Sequence, residues 1–188
     1  MGKDKIGDFK RSVGLEEKHI ILQVGSVCDR KNQLGAVRML SEYLKSRRDI
    51  IYMYAGGIID DEYKALIDKF AKENNIASQV KYIGELPPGE KLNEYYNAAE
   101  MTVFPSKVES FGLVIIESLS TGTPVIVPNT PLFKLNTGYF IFNSADEFID
   151  VVDGNIGGQN KCNQNRTETI KKYSWAAVAR QHLEIFGN

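Results

Sequence analysis

Two carboxylates, Glu109 and Glu117, lie on either side of Gly112, at a point where a strand is predicted to give way to a helix. Residues 101–105 form an apolar run closed by proline, and residues 113–121 carry apolar residues at helical spacing until a glycine ends them. The backbone N–H groups at a helix start, together with the helix dipole, attract an anion such as a diphosphate. Carboxylates repel that anion, so their partners are neutral hydroxyls such as those of sugars and ribose. The pattern therefore predicts a site for a ligand that carries both a diphosphate and sugar hydroxyls.

Two adjacent cations, Arg30 and Lys31, follow the first predicted strand and its terminal Gly25. Both precede a predicted helix. There a guanidinium can hold a phosphate through two hydrogen bonds, and an ammonium acts as a point charge. The alternative is that the two side chains only solvate a surface loop, as most charged residues do.

Short runs rich in apolar, β-branched and aromatic residues, each closed by glycine or proline or lying beside one, predict the strands. They are residues 19–25, 49–56, 79–84, 100–105, 123–128 and, more weakly, 138–142. Segments with helical periodicity lie between most of them, which is typical of βαβ units. The sequence therefore predicts an α/β fold with a doubly wound, mainly parallel sheet of about six strands. Ligands bind such sheets at the carboxyl ends of the strands, which is where Gly25, Gly56, Gly84 and the turn 105–109 are expected.

The composition sets limits on the function. The length of 188 residues suits one domain, and 23 Lys and Arg balance 24 Asp and Glu, so no binding of nucleic acid is predicted. Cys28 and Cys162 lack the company of metal ligands, and the acids at 60–62 are better explained as the start of a helix than as a metal site. With neither a signal peptide nor an apolar run of membrane length in the sequence, we expect a cytoplasmic protein without a bound metal.

The ordered set of a strand, Glu109-x7-Glu117 enclosing residues 110–113, and the following Gly-Thr-Pro-Val-Ile at 122–126 resembles a known family. It is similar to the donor-binding half of retaining GT-B glycosyltransferases, the glycosyl transferases group 1, family four. The resemblance implies one Rossmann-like half of a GT-B fold, with the N-terminal acceptor domain absent from this chain.

The same resemblance implies a division of the chain near residue 18. Residues 18–188 are expected to form the nucleotide-sugar-binding domain, ending in a helix that begins near Ser174. Residues 1–17 are charged and poor in apolar periodicity, so we expect an interdomain connector with a short helix rather than part of the core.

The resemblance also assigns roles to single residues. Glu109 is expected to orient the donor sugar, and Lys31 to hold the leaving diphosphate; these two are the expected catalytic residues. Glu117 is expected to bind ribose. Donor-binding roles are further implied for Gly25, Arg30, Ser110, Phe111, Gly112, Leu113, Gly84, Glu85 and Leu86, the last three through backbone contacts to the nucleobase.

Two positions depart from the family pattern. Ser26 stands where the family has an arginine, and Asn32 stands where it has a second glycine after the lysine. The first departure weakens the expected phosphate site unless Arg30 supplies the missing charge.

The implied activity is transfer of a sugar from a nucleoside diphosphate, most commonly UDP, to an acceptor hydroxyl, without a cofactor or metal. The other half of the enzyme would supply acceptor binding and any association with a membrane, so the isolated domain is expected to be inactive alone. Two alternatives stay open at this point. One is a sugar-nucleotide epimerase of the same fold, against which the paired carboxylates argue; the other is a non-catalytic module that binds a sugar nucleotide or a phosphoprotein.

Overall fold

Strands and helices alternate along the chain much as the apolar patterns predict. The computed structural model describes residues 1–109, 112–130, 139–157, 163–174, 176, 177 and 180. The strands are β1 (His19–Val24), β2 (Ile50–Ala55), β3 (Val80–Tyr82), β4 (Met101–Val103), β5 (Val125–Pro128) and β6 (Tyr139–Phe142). The helices are α1 (Lys3–Ser12), α2 (Gln33–Ser46), α3 (Asp61–Glu73), α4 (Glu90–Ala98), α5 (Leu113–Ser120), α6 (Ala145–Asn155) and α7 (Asn163–Tyr173).

The six described strands form one sheet in the order β3-β2-β1-β4-β5-β6. Every pair of neighbours is parallel. This is the strand order of a Rossmann-type doubly wound sheet. The predicted fold class is therefore confirmed, and the order reverses between β1 and β4.

Alternating side chains of the strands face two separate layers of helices. In β2, Ile50, Tyr52 and Tyr54 belong to a cluster with apolar residues of α2, α3 and α6. Their neighbours Ile51 and Met53 belong to a second cluster with residues of α1 and α4. Because successive side chains of a strand point to opposite faces, the helices cover both faces of the sheet.

The segment before residue 18 contributes to the core, contrary to what its charged composition indicated. It contains the expected short helix, α1, but Phe9 and Leu15 are buried in the cluster that includes α4. The Phe9 ring packs edge-on against Tyr95 with 4.9 Å between ring centroids. The role of residues 1–17 as an interdomain connector stays a prediction.

Glycine is required at Gly56, where the loops after β1 and β2 come closest. Its φ of 144° lies in a region that side chains rarely adopt, and a Cβ there would lie 2.2 Å from the carbonyl oxygen of Gly25. The Gly56 N–H donates to the carbonyl of Gly84 at 2.9 Å, and the Gly25 N–H donates to that of Ala55 at 2.8 Å. The carboxyl ends of β1, β2 and β3 are thus joined backbone to backbone.

Gly56→Ala is expected to destabilise the protein by about 2–4 kcal/mol, because the new methyl group meets backbone that cannot move aside. In thermal unfolding this corresponds to a lowering of Tm by about 5–15 °C. The matched control is Gly154→Ala in α6, where a Cβ meets nothing within 4 Å. That change should be neutral or stabilise by up to about 1 kcal/mol, because alanine favours helix more than glycine does. Equal Tm values for the two variants would contradict this account of the rim.

Candidate functional site

The loops that follow β1 and β4 lie side by side where the strand order reverses. The Lys107 N–H donates to the Arg30 carbonyl at 2.9 Å, and the Lys107 ammonium donates to Asp29 Oδ1 at 2.6 Å. The side-chain amide of Asn32 donates to the carbonyl of Pro105 at 3.1 Å. These contacts fix the two loops against each other and make this crevice the candidate site.

The backbone of Lys31 is held by Gln23, a polar residue of β1. Lys31 closes a single 3₁₀ turn and is only 9% exposed. The amide Nε2 of Gln23 donates to the Lys31 carbonyl at 2.7 Å, and Gln23 Oε1 accepts from the Tyr52 hydroxyl at 2.7 Å. Gln23 interrupts an apolar strand, and a buried amide needs partners. A polar residue within an apolar strand was therefore the signal in the sequence for this contact of Gln23 with the Lys31 backbone.

Lys31 and Glu109 form an ion pair across the crevice, with side chains 11% and 10% exposed. The ammonium lies 5.2 Å from the centre of the Phe104 ring, which adds a cation–π contact. A Cβ on Gly25 would lie 3.5 Å from the Lys31 stem, so this glycine borders the lysine directly. The two expected catalytic residues are therefore brought together, and each neutralises the other in the free protein.

The departure from the family pattern at Asn32 has a structural explanation. Its φ of 58° is left-handed, a conformation that asparagine tolerates better than most side chains. The Asn32 side chain occupies the place where a Cβ on Gly35 would lie, 2.3 Å from its Oδ1. Asparagine is thus compatible with the left-handed backbone at this position, and Gly35 leaves room for its side chain.

At Ser26 and Arg30, the loop after β1 holds less positive charge in a fixed position than the resemblance implied. The backbone carbonyl of Ser26 accepts from the Gln33 amide at 2.9 Å, and the short side chain adds no charge. Arg30 is exposed, and no described residue hydrogen-bonds its guanidinium. Within the described part of the chain, the Lys31 side chain is therefore already paired, whereas the Arg30 side chain is not.

The second carboxylate, Glu117, is partly buried on α5 and has a partner on α4. The Tyr96 hydroxyl donates to Glu117 Oε2 at 2.8 Å, and Tyr96 is 2% exposed. Burial, and then the charge of Glu117, hold the pKa of Tyr96 well above its usual value, so the phenol stays protonated and donates. Sequence reasoning placed Tyr96 on a buried helix face but missed this contact. The available signal was that a buried tyrosine hydroxyl needs a partner.

A cavity of about 220 Å³ opens beside Glu117 between α4 and α5. It extends from Pro88 and Gly89, in the loop after β3, to the carboxylate. The other lining residues are Leu92, Asn93, Tyr96, Ser120 and Thr121.

The expected nucleobase loop lies next to the loop after β2. Gly84 has a φ of 85° and accepts the Gly56 N–H. Glu85 is exposed, with its carboxylate 3.3 Å from where a Cβ of Gly57 would lie. Leu86 is partly buried against the cluster that includes α4. The Gly84 carbonyl therefore joins this loop to the loop after β2, and Leu86 packs it against the core.

Helix α5 begins at Leu113, immediately after Gly112, as predicted. Gly112 has a φ of 73°, and no described side chain caps the helix start. Leu113 is 63% exposed there. Ser110 and Phe111 lie outside the described residues.

The acids at 60–62 open α3, as the sequence indicated. Asp60 is the N-cap residue, and its Oδ1 accepts the Tyr63 N–H at 2.8 Å. Across the described ranges, His, Cys, Asp and Glu side chains nowhere gather in the group of three that a metal ion needs. The helices in the same ranges are all too short or too polar to span a bilayer.

The family described as glycosyl transferases group 1 matches residues 5–172. This chain belongs to that family. Among curated relatives, it is 23% identical to the uncharacterized glycosyltransferase MJ1607 of Methanocaldococcus jannaschii. That match extends over 190 residues and covers 95% of this chain and 47% of that protein. It is 33% identical over 161 residues to O-antigen chain mannosyltransferase B of Escherichia coli, covering 84% of this chain and 38% of that one.

The fold is also that of a solved structure. HepE of Anabaena, crystallised in complex with UDP and glucose, matches with a TM-score of 0.84 at 13% identity, over 100% of this chain and 53% of HepE. The likeness confirms the Rossmann-like architecture predicted from the motif. The group 1 chain described here thus spans about half the length of HepE and less than half of the two curated relatives.

Lys31→Met and Glu109→Gln are each expected to destabilise the protein, because each removes one partner of an ion pair whose side chains are nine-tenths buried. The loss should be about 1–3 kcal/mol, below the cost for fully buried pairs because solvent reaches the rim. The double variant should lose less than the sum, with a coupling of about 1 kcal/mol or more in urea unfolding.

The control cycle uses Lys45→Met and Glu42→Gln, which remove an ion pair on α2 whose side chains are 34% and 85% exposed. Its coupling should stay below about 0.5 kcal/mol. Additive losses at Lys31 and Glu109 would show that their contact contributes nothing to stability.

Proposed function

We propose that this chain binds a nucleoside-diphosphate sugar and is the donor-binding half of a retaining glycosyltransferase, which moves the sugar to an acceptor hydroxyl. The observation that carries the proposal is the contact of Lys31 with Glu109 at the reversal of strand order. A cation for phosphate and an acceptor for sugar hydroxyls lie together there, in the crevice where α/β sheets bind ligands.

The diphosphate would lie between the loop after β1 and the start of α5. Lys31 would exchange its bond to Glu109 for one to a phosphate oxygen, and Arg30 would supply the charge that Ser26 does not. Backbone N–H groups at Ser110–Leu113 would donate to the remaining oxygens, favoured by the helix dipole. Gly112 and Gly25 would let the anion approach the backbone closely.

Exchange at Lys31 would release the Glu109 carboxylate from the ammonium at the moment when the sugar arrives. A carboxylate accepts hydrogen bonds only, so hydroxyl groups of the donor sugar would replace the ammonium as its partners. Glu109 would orient the sugar through these bonds; we do not assign it as a covalent nucleophile.

The ribose and the base would extend away from this point along the rim. Glu117 would accept hydrogen bonds from the ribose hydroxyls. Gly84, Glu85 and Leu86 would border the nucleobase, mainly through their backbone groups.

Catalysis in this proposal rests on the leaving diphosphate. Negative charge grows on it as the glycosidic bond breaks, so a fixed ammonium and fixed N–H donors bind the transition state more strongly than the ground state. The chemistry needs no metal and no cofactor, because Lys31, Arg30 and the backbone would neutralise the charge.

UDP is the first candidate among the nucleotides, since the similar HepE was solved with UDP and glucose. The acceptor would be bound by the other half of a longer protein, since the relatives extend well beyond the matched region. That half would also carry any contact with a membrane, and the reaction would take place in the cytoplasm.

A thermal-shift panel with UDP, GDP and ADP tests nucleotide binding, because a ligand of the native state raises Tm by mass action. We expect at least one of the three to bind, with affinity then measured by calorimetry. Lys31→Ala should weaken that affinity about 10- to 100-fold, the equivalent of one hydrogen bond to a charged group.

The control Lys45→Ala removes an exposed cation of α2 and should leave the affinity unchanged, and EDTA should have no effect. Failure of all three nucleotides to bind would refute the proposed function. In the same preparation we expect negligible sugar transfer, and sustained turnover by this chain alone would contradict the division of labour between two halves.

A further inference from the structure

We propose that Tyr96 is a positioning residue for ribose recognition: its hydroxyl holds one oxygen of the Glu117 carboxylate, so that the other is aimed at the ribose hydroxyls. The inference rests on the proposed function, since it assumes that a nucleotide occupies this site. It adds a residue of α4 to a site otherwise made by loops and by α5.

The contact is well suited to fixing a carboxylate. Tyr96 is 2% exposed, so its ring is confined by packing, and its hydroxyl reaches Glu117 Oε2 at 2.8 Å. A carboxylate has two oxygens and about four acceptor positions, of which the phenol takes one. Glu117 is thereby held in one orientation and keeps acceptor capacity for a ligand.

Tyr96 is itself tied to the turn that follows α5. The buried Thr123 donates its hydroxyl to the Tyr96 carbonyl at 2.7 Å, and the hydroxyl of Thr121 donates to that of Thr123 at 2.9 Å. The backbone of Tyr96 is thus bonded to Thr123, which lies three residues after the end of α5, the helix that carries Glu117. Helices α4 and α5 therefore hold the donor and the acceptor of this hydrogen bond in a fixed relation.

The space beside the pair is open to a ligand. The cavity of about 220 Å³ is bordered by both Tyr96 and Glu117 and reaches Pro88 and Gly89, which follow the expected nucleobase residues 84–86 in the loop after β3. A ribose joins a base on one side to a diphosphate on the other. Glu117 lies where the cavity meets the helix whose first turn is expected to bind the phosphates.

The phenol keeps its role as donor over the working pH range, because burial raises the pKa of Tyr96. Removing the hydroxyl while keeping the ring should therefore free the carboxylate to rotate, with little change in packing.

The test compares Tyr96→Phe with the wild-type chain on two ligands: the nucleoside diphosphate that binds among UDP, GDP and ADP, and its 2′,3′-dideoxy counterpart. We expect Tyr96→Phe to weaken the ribonucleotide about 5- to 10-fold and the dideoxy nucleotide less than about 2-fold, because only the former bonds Glu117. Tyr95→Phe is the matched control, because it makes the same change one residue earlier on α4, at a tyrosine that packs against Phe9. It should affect neither ligand.

A second variant separates positioning from packing. Glu117→Gln should lose the same preference for the ribonucleotide, and Tyr96→Phe added to it should cause no further loss, because both changes act on one contact. Thermal unfolding of each variant without ligand checks that the fold is retained.

The outcomes are distinguishable. Failure of the wild-type chain to bind any of the three nucleotides would refute the proposed function, and this inference with it. Binding by the wild type with equal losses on both ligands in Tyr96→Phe would make Tyr96 merely structural. An unchanged ribonucleotide affinity in Tyr96→Phe would likewise overturn the inference while leaving the proposed function intact.

Discussion

Lys31 and Glu109 form an ion pair whose side chains are each about one-tenth exposed, so neither charge keeps the hydration it would have on an open surface. Each charge compensates the other, and the pair joins the loop after β1 to the loop after β4. An incoming group that replaces the contact must offer an anion to the ammonium and hydrogen-bond donors to the carboxylate.

The strand order explains why these two side chains meet. β1 and β4 are neighbours in the sheet but are separated in the chain by two strands, β2 and β3, and the order reverses between them. Loops after such a pair diverge to opposite faces and leave a crevice. Here the Asn32 amide on the Pro105 carbonyl and the Lys107 N–H on the Arg30 carbonyl set the distance across it.

The second carboxylate is compensated differently. Glu117 pairs with a neutral phenol rather than with a cation, so its contact with Tyr96 leaves the negative charge in place. A ligand at Glu109 would have to exchange with an existing partner, whereas a ligand at Glu117 would add to one. Binding of a ligand at Glu109 would therefore cost the free energy of breaking the contact with Lys31, whereas binding at Glu117 would leave the contact with Tyr96 in place. The sequence does not reveal this difference, because both residues are glutamates near the same turn.

The sequence by itself determined the class of fold, the strands and most of the helices, because alternation, helical spacing and glycine or proline stops are local properties. It also identified Lys31, Glu109 and Glu117 as candidates, the first from its place after a strand and the two acids from their spacing around Gly112. Only the tertiary structure decided that Lys31 contacts Glu109, that Tyr96 holds Glu117, and that Phe9 is buried. These contacts join residues 78, 21 and 86 positions apart, so they depend on strand order and helix packing rather than on any local pattern.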